Sequence, residues 1–363
     1  AKVTYGITGG SIHNLVISNN TITDHPTTDE PSIITGITVM GGTDVRIEDN
    51  RIANLHPDTE WSESTGITLF SSDDLHLHRN VITGPIMTGT SSTVESMDEP
   101  VSCHISDNRI FDVRLVGMYV DAGVGEVRNN SVMNGTIGVF LTMDESAVLN
   151  NTVRGASQRG LSLQGTNLTL SGNVLSDNAC NLYIEGVDEE GFLHQIDRTN
   201  LLDERPLIYL REQNNVTIGP AQNPGMVLAV RCQNLTIHDV TPGKAMAGLV
   251  LINSSDLSIS GVRDTGSVHG FLASNVNRCT IQDTSAYNNS LYGFVVRSSE
   301  DVSLDRCHVS GSSGNAFYLF NAQDVVINAS YSHGFTPPYR EEDAYGANIE
   351  SCRNVSVVNS IFS

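Results

Sequence analysis

Lysine is nearly absent from this chain: Lys2 and Lys244 are the two found in 363 residues. Lysine and arginine together number 20 against 41 acidic residues, a formal charge of −21. Nucleic acid and anionic bilayers need a positive patch, so neither is expected as a partner. Tryptophan occurs once, at Trp61. The six cysteines form no Cys-x-x-Cys pair, which excludes zinc-ribbon and dithiol redox motifs. No apolar run approaches the roughly 18 residues of a spanning helix, so no membrane insertion is expected. Ala1–Gly10 lacks a signal-peptide pattern. The chain opens inside a repeat and closes on a strand, from which we expect a segment of a longer precursor. No Pro/Gly/Ser-rich linker divides it, so one long repetitive domain is expected.

What is present is self-similarity. NLVISNNTI, DVRIEDNRI, DLHLHRNVI, SCHISDNRI, GEVRNNSV, SAVLNNTV and NLTLSGNVL align on Ile22, Ile52, Ile82, Ile110, Val132, Val153 and Leu175, at spacings of 30, 30, 28, 22, 21 and 22. A second series aligns Leu235, Leu257, Cys279, Val302, Val325 and Val355. Each period also carries a Gly-apolar-x-apolar strand, as at Gly36, Gly66, Gly117, Gly138, Gly160, Gly248, Gly270 and Gly293. Two short alternating strands per ~22 residues cannot bury their apolar faces alone, whereas coils stacked ~4.8 Å apart can. Leucine-rich repeats and propellers need other periods. The pattern predicts an all-β, right-handed parallel β-helix solenoid of about 14 coils, ~22 residues each, with loop insertions on one edge near the N-terminus. Coils are expected over 1–180, an irregular insert over 181–213, and further coils over 214–363 of one continuous solenoid. Cys279 and Cys307 fall at inward positions. Asn20, Asn50, Asn80, Asn108, Asn130, Asn151 and Asn173 each precede the aligned apolar residue by two and read as a turn ladder.

The stretch GFLHQIDRTNLLDERPLIYLREQNNVTIGP, with its H-x-I-D-x-T-N, R-P-L-x-Y-L and N-V-T-I elements between His194 and Ile218, resembles the NosD-like right-handed β-helix repeat proteins. With the coils that follow, the resemblance covers about a third of the chain. It implies an exported or cell-surface location of the kind seen among archaeal, notably methanogen, surface proteins. It also implies kinship with carbohydrate-binding and sugar-processing β-helices, and a historical link with copper. It brings no catalytic motif across, and shared fold alone does not assign activity.

Three constellations point to chemistry. The long periods place insertions Thr23–Thr35, Ala53–Thr65, Thr83–Thr93 and Ser332–Tyr345 on one edge, the first three forming a lobe that carries His56 and Trp61. Residues two past each glycine face outward and stack as Thr38, Thr68, Glu95, Tyr119, Phe140 and Ser162, with Asp121 further along its strand. Glu95 and Asp121, roughly 8 Å apart by coil spacing, would serve as acid and base beside the rings of Tyr119 and Phe140, as an inverting glycosidase requires. The same column continues as Val250, Leu272, Val295 and Tyr318, an apolar stripe that offers self-association. Finally, Leu75 and Leu77 alternate inward, so His76 and His78 face out with His104 above His76, a set suited to copper or zinc.

These features support three functions: an exported or cell-surface module that recognises polysaccharide or serves the cell envelope as architecture, a polysaccharide hydrolase or lyase using Glu95 and Asp121, and a metal-binding module. Lysine-based lyase chemistry is disfavoured, because Lys244 lies alone in TPGKAMAG. Lyases that use arginine and calcium stay open, so calcium joins copper and zinc as a divalent cofactor to consider.

Overall fold

The computed structural model describes residues 2–23, 32–53, 55, 63–84, 86, 88–93, 102–186, 188–334 and 344–363. The chain is a right-handed parallel β-helix, and it divides into two compact units, Ala1–Ile196 and Asp197–Ser363. Among the described residues the helical elements are two single 3-10 turns, Glu190–Phe192 and Pro220–Gln222.

The first unit has eight coils. The first seven begin on a glycine-bearing strand, turn onto a second strand with apolar residues inward, and close on a three-residue strand such as Ser131–Met133. In the first three coils the first two strands run on without a break, as Lys2–Ser18, Ser32–Glu48 and Glu63–His78. The aligned positions pair as the repeat requires: Ile22 with Ile52, Ile52 with Ile82, Ile82 with Ile110, Ile110 with Val132, and so on to Leu175. Residues 181–213 are less irregular than expected. Cys180–Glu185 continues the first unit as a coil paired to Arg159–Gln164, because Leu182 and Ile184 keep the inward alternation. In the second unit, Arg205–Arg211 likewise pairs with Met226–Val230.

Two columns lock the first unit. The ladder asparagines are 0–3% exposed from Asn50 to Asn173. Each side-chain amide donates to the amide oxygen of the next, as from Asn80 to Asn108 (3.1 Å) and Asn108 to Asn130 (3.0 Å), and also to a main-chain carbonyl of the preceding coil, as from Asn108 to Leu77 O (2.8 Å). The left-handed turn residue is the preceding one: Asn19, Asp49, Arg79, Asp107, Asn129 and Asn150 have φ between 52° and 58°. The ladder residues therefore occupy the buried corner, while their neighbours make the turn. The glycines form the second column. A Cβ on Gly36 would lie 2.6 Å from Gly66 O and 2.9 Å from Ile52 Cγ2, and Gly6 and Gly66 are equally confined. Each glycine thus gives its place to the branched side chain of the aligned apolar column.

The second unit has seven coils. Its core column runs Ile208, Val227, Leu249, Phe271, Phe294, Phe317. The rings of Phe271 and Phe294 stack at 4.5 Å, those of Phe294 and Phe317 at 5.3 Å. Hydroxyls stand in for the asparagine ladder: Ser254 Oγ accepts from Cys232 N (2.9 Å) and Ser330 Oγ from Cys307 N (3.1 Å). Cys279 and Cys307 are buried, as their register required. The outward stripe expected to self-associate is not free. Val250, Leu272 and Val295 are 0%, 6% and 6% exposed, so an outward strand position is here already covered, and only Tyr318 of the four stays half-buried.

One carboxylate lies inside the second unit. Asp264 occupies the inward position that Ala286 and Val309 fill in the next coils, is fully buried, and accepts from Ser267 Oγ (2.7 Å) and Asn289 Nδ2 (2.7 Å). Burial pushes its carboxyl up to about 7, against the lowering effect of those donors. A raised folded value means the contribution is fully present below the unfolded carboxyl range near ~4 and is lost as pH rises through about 7. Asp264→Asn should therefore gain melting temperature relative to the native chain between pH 5 and 8; a difference that stays constant with pH would contradict this. In the first unit, Asn108→Ala should cost about 2–4 kcal/mol in denaturant unfolding, since it strips partners from Asn80 and from Leu77 O in a dry corner. Thr90 faces the core between Ile67 and Met118 with a hydroxyl that has no partner among the described residues, so Thr90→Val should stabilise by about 1–2 kcal/mol.

Candidate functional site

The outward rows of the glycine strands in the first unit form a groove of about 520 Å³. Strand pairing assembles it from three rows. Tyr5, Thr35, Thr65, Thr88 and Val116 stand in one, Thr38, Thr68 and Tyr119 in the next, Met40 and Phe70 in the third. Tyr5, Met40 and Phe70 are 41%, 47% and 41% exposed, a concentration of apolar surface beside rows of threonine. Thr38 is 2% exposed and its hydroxyl has no hydrogen-bond partner among the described residues. Among the described residues no charged side chain lines the groove. Phe70 and Met40 were legible as the fourth residue after each glycine, an outward position in the same alternation.

Tyr119 and Phe140 meet as expected, stacked at 5.6 Å with planes 16° apart. The row position assigned to Glu95 belongs to Ser91, which pairs with Thr68 on one side and Tyr119 on the other. This coil's glycine strand is Thr88–Thr93, whose inward Thr90 hides the polarity alternation. Glu95, His56 and Trp61 lie outside the described residues, as does most of the insertions Thr23–Thr35, Ala53–Thr65 and Ser332–Tyr345. Asp121 stands in the row of Phe70 and Thr93, followed by Thr142, Gln164 and Glu185. Three coils separate Asp121 from Glu185, roughly 14 Å and too far for an acid and base to share one glycosidic bond. Glu185 is moreover held by Arg159 Nη1 at 2.5 Å. Asp121 acts on Tyr119 instead. Burial first, then the charge and hydrogen bond of Asp121, raise the Tyr119 phenol above its ordinary value.

On the leucine face of the same unit, a hollow of about 370 Å³ is lined by Arg46, Glu48, His76, His78, His104, Glu126 and Arg128. Leu75 and Leu77 are fully buried, so His76 and His78 project outward, and His104 pairs with His76. The rings of His76 and His104 stack at 5.0 Å, 18° from parallel, and so present faces to each other. His78 turns to Ser106 Oγ (2.7 Å) and Asp107 (3.3 Å). His76 Nε2 faces Asp74 Oδ1 at 3.2 Å, and ligand atoms of Asp44, Asp74 and His76 all lie within 4.8 Å of one another. The structure thus brings together His76 and His104 but directs the nitrogen of His76 toward two carboxylates, one of them already bonded to Arg46 Nε (2.9 Å). Ring direction was not legible in the sequence.

Two family models match the chain: a right-handed β-helix region over residues 208–363, and "Periplasmic copper-binding protein (NosD)" over residues 92–194. No curated protein matches. Among solved structures, the periplasmic alginate epimerase AlgG is 10% identical, covering 95% of this chain and 84% of that one, with a TM-score of 0.27. The surface adhesin PfbA of Streptococcus pneumoniae is 9% identical over 93% and 85%, TM-score 0.31. The catalytic unit of a GH87 α-1,3-glucanase from Streptomyces thermodiastaticus is 10% identical over 99% and 62%, TM-score 0.28. The described residues of 92–194 do not fit a copper ion. His104 lies face to face with His76, His194 is 1% exposed with Nδ1 accepting from Leu168 N (3.3 Å), and burial pushes the Cys103 and Cys180 thiols up to about 12, away from the thiolate a soft metal binds. No helix among the described residues is long and apolar enough to cross a membrane.

The Tyr119 geometry is checkable. Asp121→Asn should lower the Tyr119 titration midpoint, followed by NMR of ¹³Cζ-labelled tyrosine; an unchanged midpoint would separate the two groups. By its repeat and its coil register the chain is a right-handed parallel β-helix protein, and its residues 92–194 are similar to the NosD family.

Proposed function

We propose that this chain is an exported or cell-surface module that recognises an extended, uncharged polysaccharide along the groove of its first unit. The observation that carries this reading is the composition of the groove: rings and methyl groups of Tyr5, Met40, Phe70 and Tyr119 interleaved with threonine hydroxyls, without a charge among the described residues. A sugar ring has an apolar C–H face and a hydroxyl rim, so it stacks on aromatics and hydrogen-bonds beside them. Thr65 and Thr88, partly exposed along the groove, supply hydroxyls that a ligand hydroxyl can meet. An acidic polymer would meet the −21 charge of the chain with no compensating lysine row, which favours a neutral one. A groove that crosses coils also suits a polymer, because each coil repeats the floor ~4.8 Å further on.

Affinity electrophoresis in gels containing dextran, laminarin, alginate or polygalacturonate tests the reading. Retardation is expected in a neutral gel and not in the acidic ones. Phe70→Ala and Tyr119→Ala should each weaken it about 10-fold, in line with one lost stacking contact plus its buried area. Equal retardation of both variants and the native chain would sink the groove as the site. Release of reducing ends by the native chain but not by Asp121→Asn would replace recognition with turnover at this groove.

A further inference from the structure

The short-strand face of the second unit carries an aromatic and imidazole cluster that the groove does not use. Its strands Arg263–Thr265, Ser285–Tyr287, His308–Ser310 and Tyr331–His333 stack in parallel, with Asp264, Ala286, Val309 and Ser332 buried inward. The flanking positions therefore point outward and place Tyr287, His308, Tyr331 and His333 side by side. His308 lies 5.3 Å from Tyr287, 5.2 Å from Tyr331 and 5.4 Å from His333, centroid to centroid.

Two nitrogens in this cluster have no account within the fold. His308 Nε2 and His333 Nδ1 are both shielded from solvent, and neither has a hydrogen-bond partner among the described residues. A buried unpaired nitrogen costs about 1–3 kcal/mol, so two in neighbouring rings imply a partner that the described residues do not supply. The opposite nitrogen of His308 is occupied: Nδ1 lies 3.2 Å from the Tyr287 hydroxyl. One ring nitrogen anchored to a polar group and the other left open is the arrangement of a metal-ligating histidine. The spacing agrees. With metal–nitrogen bonds of ~2.0–2.1 Å and tetrahedral angles, two imidazole centroids on one ion lie about 5.2 Å apart, against the 5.4 Å observed.

We infer that His308 Nε2 and His333 Nδ1 bind a divalent transition-metal ion of the zinc type, with Tyr287 positioning His308 and water completing the coordination. Imidazole suits zinc, nickel and copper(II) and discriminates against calcium and magnesium. The site lies outside residues 92–194, where the copper-binding family model matches, and it is independent of the glycan groove.

Zinc alone, titrated into the full chain by calorimetry, with cobalt(II) absorption as a second readout, tests this. Binding that His308→Ala and His333→Ala each weaken about 10-fold or more is expected, with calcium and magnesium giving no signal. Tyr287→Phe should weaken zinc several-fold, as loss of a partner that orients a ligand does. Far-UV circular dichroism screens each variant for folding, and His333→Gln keeps the size of the ring should the alanine variant unfold. His76→Ala, which opens the Asp44–Asp74–His76 group, should leave this binding unchanged. Zinc binding lost in His76→Ala but intact in both His308 and His333 variants would overturn the assignment. So would the absence of zinc binding, which would leave the two nitrogens facing aromatic rings.

Discussion

Everything in the first unit depends on each coil meeting the next in register, and the buried asparagine column enforces it. An amide in a dry corner must satisfy both its donor and its acceptor, and here it does so only if the next asparagine lies directly above. Strand pairing alone is nearly indifferent to a slip, since any backbone amide can meet any carbonyl. A one-residue slip would unpair the amides and turn every inward side chain outward. The second unit meets the same demand by other means, with serine hydroxyls at the corner and three phenylalanine rings stacked along the core.

The periodic part of this architecture was legible because it follows from spacing. Ile22 to Leu175 and Leu235 to Val355 align in the sequence as they pair in space. The fourth coil was not, because its glycine strand TGTSST puts Thr90 where an apolar residue belongs, and the outward row was carried to Glu95 instead of Ser91. Burial of outward residues was also out of reach. Alternation tells which side of a sheet Val250 or Leu272 faces, not whether that side is covered. The same holds for histidine: the strand set His76 and His104 on one row, whereas the ring torsions that aim His76 at Asp74 depend on neighbours in space.

Charge is arranged with equal economy of position. At the left-handed corners acids stack against arginines one coil away, as Asp49 with Arg79, Asp256 with Arg278 and Asp283 with Arg306. Such exposed pairs contribute little to stability, typically ~0–1 kcal/mol. Their effect is to place Arg79, Arg278 and Arg306 at corners where an acid already neutralises them. The rows around the candidate groove are left, among the described residues, to hydroxyls, rings and apolar groups. Core and surface thus answer to separate demands: inward residues to packing, outward rows to whatever they contact.

The glycine column carries a further consequence. From Gly6 to Gly138 each glycine of the column is confined by the carbonyl of the corresponding glycine one coil on and by the branched residue of its own coil, so a side chain at any single one of them would strain two coils at once. A complete coil brings its own glycine, its own branched residue and its own asparagine, and asks of its neighbours only what they already offer. Such a chain is brittle to change by the letter and tolerant of change by the line: lengthening or shortening by whole periods of about 22 residues leaves every contact rule intact.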